Sequence, residues 1–300
     1  LDFADTEVGA HHVETRTDSL VIESLEGLFS ALAGRESELI DKASDNNIDV
    51  LRNGTNPFIN LDNIEKTDKE KYDIVPGFHD EMRNGHVSDT FGINEVVDPR
   101  NADIAGVISS AQTNIEASGL EDAVDKANLS YMITPYMVAL STNSRFIDKK
   151  DTGINDTRMP LWEKSHDIRS PEELQTEDVS AGKIGSYYED IRDYFDRVES
   201  EPFILDVEDA AMDIGIGTFW KDARIKFNYE PEEGVYEPVV ESRAMSTQPT
   251  PEEEIAVHGF YIGRLIYAQQ NQEDLLDIEK TNRNRYAAMH NGLDTKLYDP

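Results

Sequence analysis

Three hundred residues carry 61 Asp and Glu against 28 Lys and Arg, a formal charge of −33 at pH 7, with no cysteine and 38% hydrophobic content. The lack of cysteine excludes disulfides, thiolate metal sites and a cysteine nucleophile. No apolar run approaches the ~18 residues of a membrane span, and no basic stripe exists to neutralise phosphates, so neither a membrane nor a nucleic acid is an expected partner.

Ser19 to Ser44 has helical spacing, with Leu25, Leu28, Phe29 and Leu32 on one stripe and Asp18 or Ser19 available as a cap. Asn46-Asn47 ends it, and Ile48 to Leu51 is predicted as a short strand leading into the turn Gly54-Thr-Asn-Pro57. Residues 60–105 are polar and weakly patterned, with one helix expected near Tyr72–Met82. Ala111 to Ala117 alternates as a strand, and Leu120 to Leu140 returns to helical spacing with a kink expected at Pro135. Asn143 to Trp162 has neither period and reads as a site-forming loop, followed by a polar connection over 163–184. Tyr187 to Val198 is amphipathic. Asp222 to Phe227 and Tyr236 to Arg243 are two strands joined by an acidic loop containing Gly234.

Thr250-Pro-Glu-Glu-Glu254 joins a cap, a first-turn proline and acids at the positive end of the dipole, so a helix begins there and runs to about Gln270. A last helix covers about Asp274 to Asn291. Strands and helices mix without βαβ alternation, which points to an α+β fold with a mainly antiparallel sheet. No repeat or domain boundary stands out, so 1–300 reads as a single domain. The aromatic-rich helices at 187–198 and 255–268 suit a core or a homo-oligomer interface equally. Carboxylates are dispersed without an acidic tail, as in proteins of a salty, halophilic cytoplasm. With no signal-peptide pattern opening the chain, the expected location is cytoplasmic.

Three strand faces hold residues suited to chemistry. Glu7 and Glu14 flank His11-His12, and Val13 to Thr17 alternates, placing Glu14 and Arg16 on one face. Strand carboxylates suit Mg²⁺, and they equally suit a solvated strand of an acidic protein. Glu241 and Arg243 share a second face, with Arg224 on the neighbouring strand. That group is either a cross-strand salt bridge or a metal-binding Glu beside arginines that steady phosphate oxygens. Gln112, Asn114 and Glu116 alternate on a third face, as a ligand-contacting row or a polar outer surface. Walker, Rossmann, GxSxG and HExxH patterns are absent. Asp148 to Arg158 fails as a calcium loop because lysines stand where acidic ligands are needed.

Taken in order, these segments resemble the second glutamate–cysteine ligase family, which includes bacterial carboxylate–amine ligases and plant-type glutamate–cysteine ligases. Val13-Glu-Thr-Arg-Thr17 is similar to its metal-binding second strand, and Gly54-Thr-Asn-Pro57 to its Gly-Thr-His-Pro turn. Gln112-Thr-Asn-Ile-Glu116 is similar to the plant-type Gln-Val-Asn-Leu-Asp strand. Asn143-Ser-Arg-Phe146, with Asp151-Thr-Gly153, Arg158 and Trp162, resembles the family's Asn-Ser-Pro-Phe stretch. Glu241-Ser-Arg243 falls at the late metal-binding Glu, and Asn284-Arg-Tyr with Gly292-Leu-Asp294 resembles a helix near the family's end.

The resemblance implies a funnel-like antiparallel sheet with helices outside, related to glutamine synthetase. It implies ATP- and Mg²⁺-dependent amide formation through an acyl phosphate, with glutamate and with cysteine or another amine as small-molecule substrates. It assigns metal binding to Glu7, Glu14 and Glu241, and phosphate or carboxylate binding to Arg158, Arg224 and Arg243. Gln112, Asn114 and Asn143 are then cofactor contacts. The family's Glu-x-Glu first strand and its usual C-terminal end have no counterpart here, which fits either a piece of a longer protein or a divergent member, with a non-catalytic ligand-binding relative as the alternative. Arg145 replaces a family proline, where a difference in specificity is expected.

Overall fold

The computed structural model describes residues 2–17, 24–69, 71–83, 102–167, 181–201, 217–230 and 234–299. The strands are β1 (Ala4–Thr6), β2 (Val13–Thr15), β3 (Ser110–Glu116), β4 (Phe146–Ile147), β5 (Lys150–Asp151), β6 (Ala181–Gly182), β7 (Trp220–Lys221), β8 (Ala223–Glu230) and β9 (Val235–Ser246). The helices are α1 (Leu25–Asp45), α2 (Lys71–Arg83), α3 (Leu120–Ser141), α4 (Arg158–Ser165), α5 (Ile191–Ser200), α6 (Pro251–Gln270) and α7 (Ile278–Asn291). Helix and sheet are mixed, and the pairings are antiparallel except for β6 with β7.

The largest sheet has the order β3-β9-β8, with the long β9 bonded on both sides. α3 covers it. This helix is apolar nearly all round, as a helix without a solvent face must be. Ala127 and Tyr131 pack with Tyr194, Ile225 and Val240, whereas Leu129, Ile133 and Met137 pack with Val257, Tyr261 and Leu265 of α6. A third cluster joins Val138, Met159, Ala244 and Met289. β9 thus enters all three clusters, through Ala244, Val240 and Met245, and most of its other side chains are left for other work.

One cap is the one the sequence points to. Thr250 accepts from Glu253 N–H at the start of α6, and Asp190 caps α5 through the N–H groups of Arg192 and Asp193. α3 continues through Pro135. α1 is capped by Ser24, not by Asp18 or Ser19, which lie outside the described residues, as do 84–101 and 168–180 of the loops. Two expectations need correction. Ile48–Leu51 forms no ladder, and Ile48 and Leu51 are 60% and 56% exposed, since an apolar run without a partner strand stays a loop. The stretch 143–162 is half regular: a two-residue hairpin joins β4 to β5, then α4 begins at Arg158. The hairpin turn places Asp148 and Lys149 at φ +48° and +61°, as a type I′ turn requires.

β1 was not legible in the sequence. It pairs with β2 in the register Asp5↔Glu14, and Gly9 between them bridges to Lys66.

Candidate active site

Strand register assembles the first part of the site. Glu241 on β9 is the direct partner of Asn114 on β3 and of Arg224 on β8. Directly opposed residues of an antiparallel sheet point to one face, so three of the residues singled out in the sequence form a single row. Gln112 falls at a register irregularity between Ala111 and Thr113, across from Arg243 and Ala244. Gln112 and Asn114 are exposed on that face, whereas Val240 behind it is wholly buried.

Glu241 is 2% exposed and carries three cations: Arg224 Nε at 2.6 Å, Lys226 Nζ at 3.1 Å and Arg243 Nε at 3.5 Å. Burial pushes its carboxyl up, but Arg243, Arg224 and Lys226 together outweigh burial and hold it down to about 2. Lys226 was missed in the sequence reading, although its i+2 spacing from Arg224 on an alternating strand places it on the same face. Arg243 lies 5.4 Å from the centroid of the Trp162 ring, and Trp162 Nε1 is tied to the Trp220 carbonyl. Burial and the charge of Arg224 lower the Arg243 pKa to about 10. Its Nη1 is buried and has no hydrogen-bond partner among the described residues. A half-buried guanidinium with an unused donor is suited to an anionic ligand.

The N-terminal ladder brings up the other carboxylates. Burial raises the pKa of Glu14, as do the charge of Glu7, a hydrogen bond with Glu7 and the charge of Glu241. Glu7, Glu14 and Glu241 therefore share one electrostatic neighbourhood. Among the described residues no three carboxylate or imidazole side chains converge tightly enough to enclose a metal ion. The Glu7–Glu14 pair still fits a divalent cation by donor chemistry, since hard oxygens that repel one another are relieved by such an ion.

Arg158 and Asn143 sit apart from the row. The Arg158 guanidinium is 4% exposed and is bonded to Ser246 Oγ at 3.1 Å and to the Arg243 and Ala244 carbonyls. Asp156 gathers Ser144 Oγ at 3.1 Å and Ser246 Oγ at 2.9 Å beside it. Arg158 thus fastens α4 to the backbone of β9. Asn143 donates to the Thr247 carbonyl and lines an open cavity of about 540 Å³ with Arg145, Lys149, Phe58 and Phe146. Arg145 is committed to Asp151 and Asn155.

A model of the glutamate-cysteine ligase family 2 matches residues 2–299. The chain belongs to that family. None of the curated proteins compared matches it. Membership of glutamate-cysteine ligase family 2 indicates a ligase acting on small molecules. No helix among the described residues is long and apolar enough to cross a membrane.

Proposed function

We propose that the protein is an ATP- and Mg²⁺-dependent carboxylate–amine ligase that forms a γ-glutamyl amide, with cysteine or another amine as acceptor. The observation that carries this reading is the Arg243 guanidinium: 15% exposed, on the face of Glu241 and Arg224, with a buried, unused donor at Nη1. On this reading the β3-β9-β8 sheet is one wall of a funnel-like, glutamine synthetase-like site in a single domain, and membership of a ligase family supports it.

The γ-carboxylate oxygen of glutamate attacks the terminal phosphorus of ATP, and the bond to the ADP oxygen breaks. The amine nitrogen then attacks the acyl carbon, loses a proton, and phosphate departs. In both steps negative charge gathers on phosphate oxygens, and fixed cations that need no reorganisation stabilise it. Arg243 and Arg224 supply those cations, Lys226 adds a third, and Glu241 fixes all three. Gln112 and Asn114 orient the ligand from the exposed end of the row, and Asn143 contacts the nucleotide from the cavity. Glu7 and Glu14 would hold Mg²⁺, which supplies charge neutralisation at the phosphates, while Glu241 stays engaged by its three cations. Arg158 contributes by fixing β9.

A second reading, a non-catalytic binding relative, is favoured by one observation: Glu241 is already satisfied by three cations. Release of ADP in molar KCl, measured with glutamate while the amine is varied, separates the two. The ligase reading expects ADP in proportion to amide; a folded protein that releases none with any amine sinks it.

A further inference from the structure

A deeply buried ionic cluster ties α7 to α4 and to the residue before β8. Arg285 on α7 donates through Nη2 to Asp222 Oδ1 at 3.0 Å, through Nε to Asp222 Oδ2, and through Nη1 to Glu163 Oε2 at 2.7 Å. The three side chains are 5%, 2% and 6% exposed. Ions buried this far add little stability over well-packed apolar groups, so their value lies in geometry. Gly182 makes room for them. It sits at φ +84°, and a Cβ there would lie 2.7 Å from Arg285 Nη2 and 2.8 Å from Glu163 Oε2.

The cluster fixes the peptide of Asp222. Its N–H donates to the Gly182 carbonyl and its carbonyl accepts from the N–H of Arg243, each at 2.8 Å. The backbone of Arg243 therefore hangs on the residue that Arg285 grips. A second contact leads back to the same place. Trp162, whose ring faces the Arg243 guanidinium, immediately precedes Glu163 on α4. Both supports of Arg243, the peptide and the ring, are anchored at Arg285.

We propose that Arg285 is a positioning residue of the ligase reaction, setting through Asp222 and Glu163 where the Arg243 guanidinium stands beside Glu241. The inference rests on the role given above to Arg243. Arg285 lies away from the Arg243 guanidinium and acts on it through the Asp222 peptide and the Trp162 ring.

Two conservative variants test it in the full chain. Arg285→Lys keeps the charge but loses the fork, and Asp222→Asn keeps the shape and the backbone carbonyl. Each should lower kcat roughly 10- to 100-fold with far less change in the KM for glutamate, as expected for a displaced catalytic group. Introduced into an Arg243→Lys chain, neither should lower kcat further, because the group they position has already been replaced. Losses that multiply in that background, or an unchanged kcat, overturn the proposal. Amide exchange of the peptide covering 241–245 gives a readout independent of turnover. It should quicken in both variants while exchange at 235–239 stays as in the parent. Unchanged exchange at 241–245 overturns the positioning role even if the parent chain releases no ADP, a result that by itself sinks only the ligase reading.

Discussion

Arg224 and Glu241 are direct partners across the β8–β9 ladder, and their side chains meet at 2.6 Å with Glu241 almost wholly buried. Removing the acid strands Arg224, Lys226 and Arg243 on one face. Glu241→Gln should therefore abolish turnover and cost on the order of 3–5 kcal/mol, the range for breaking a buried pair. Urea unfolding at pH 7.5 gives the second quantity. Unchanged turnover in the variant would remove Glu241 from the reaction.

His258 on α6 is hydrogen-bonded to Thr113 Oγ1 at 2.5 Å, and burial, then the charge of Arg52, lowers its pKa to about 4. Its folded-state pKa lies below the unfolded value near 6.5, so acid loads protons onto the unfolded chain first. The stability it contributes is complete above about pH 6.5 and is lost as pH falls towards 4, on the order of 3 kcal/mol in all. Unfolding midpoints at pH 7 and 4.5, compared between the parent and His258→Gln, should show a smaller acid loss in the variant. His12, lowered to about 4 by burial and then by His11, adds a loss of the same sign that both chains retain.

Gly9 is buried where the β1–β2 connection crosses the 3₁₀ turn at 102–107, and a Cβ there would collide with the Gly106 carbonyl. The backbone cannot retreat easily. Ala10 N–H and Thr67 N–H are bonded across this crossing to Glu65 and Val8, and Thr67 Oγ1 donates to the Glu7 carbonyl. Gly9→Ala should cost about 1–3 kcal/mol as an overpacking change, and should weaken activity through Glu7 and Glu14. A melting temperature equal to that of the parent would show that the crossing yields.

With 61 acids against 28 bases, self-repulsion opposes the compact state at low ionic strength. At 0.01 M salt the Debye length is about 30 Å, and at 1 M about 3 Å. The melting temperature should climb steeply between dilute buffer and molar KCl, as a calorimetric salt series would register. A flat series would mean that the acids are already neutralised within the fold.

Periodicity and capping carried most of the fold. Thr250-Pro251 and the alternation of β3, β8 and β9 were readable, because local chemistry decides them, whereas α5 was read from Tyr187 and its cap at Asp190 was not. β1 and β2 were harder, with three residues each and pairing that depends on a crossing at Gly9. Glu241, Arg224 and Asn114 were legible as candidates from alternation alone, but their common row is a property of register, which no single strand encodes. Arg158 shows the opposite limit. Its residue type suits phosphate, yet its four-per-cent exposure and bonds to the β9 carbonyls follow from α4 docking, a long-range event. The pairing of Arg285 with Asp222, 63 residues apart in sequence, was invisible for the same reason.

Three cations gathered on the single carboxylate of Glu241 leave that cluster with a surplus of two positive charges, beside Glu7 and Glu14 and inside a strongly negative molecule. An anionic substrate approaching from bulk water first meets a repelling envelope, and only near the sheet a local attraction. Salt weakens the long-ranged envelope before it weakens contacts of a few ångströms. Encounter rates with anionic substrates should therefore rise from low to moderate ionic strength and turn down once the short-range attraction is screened as well, making salt a regulator of capture as well as of folding.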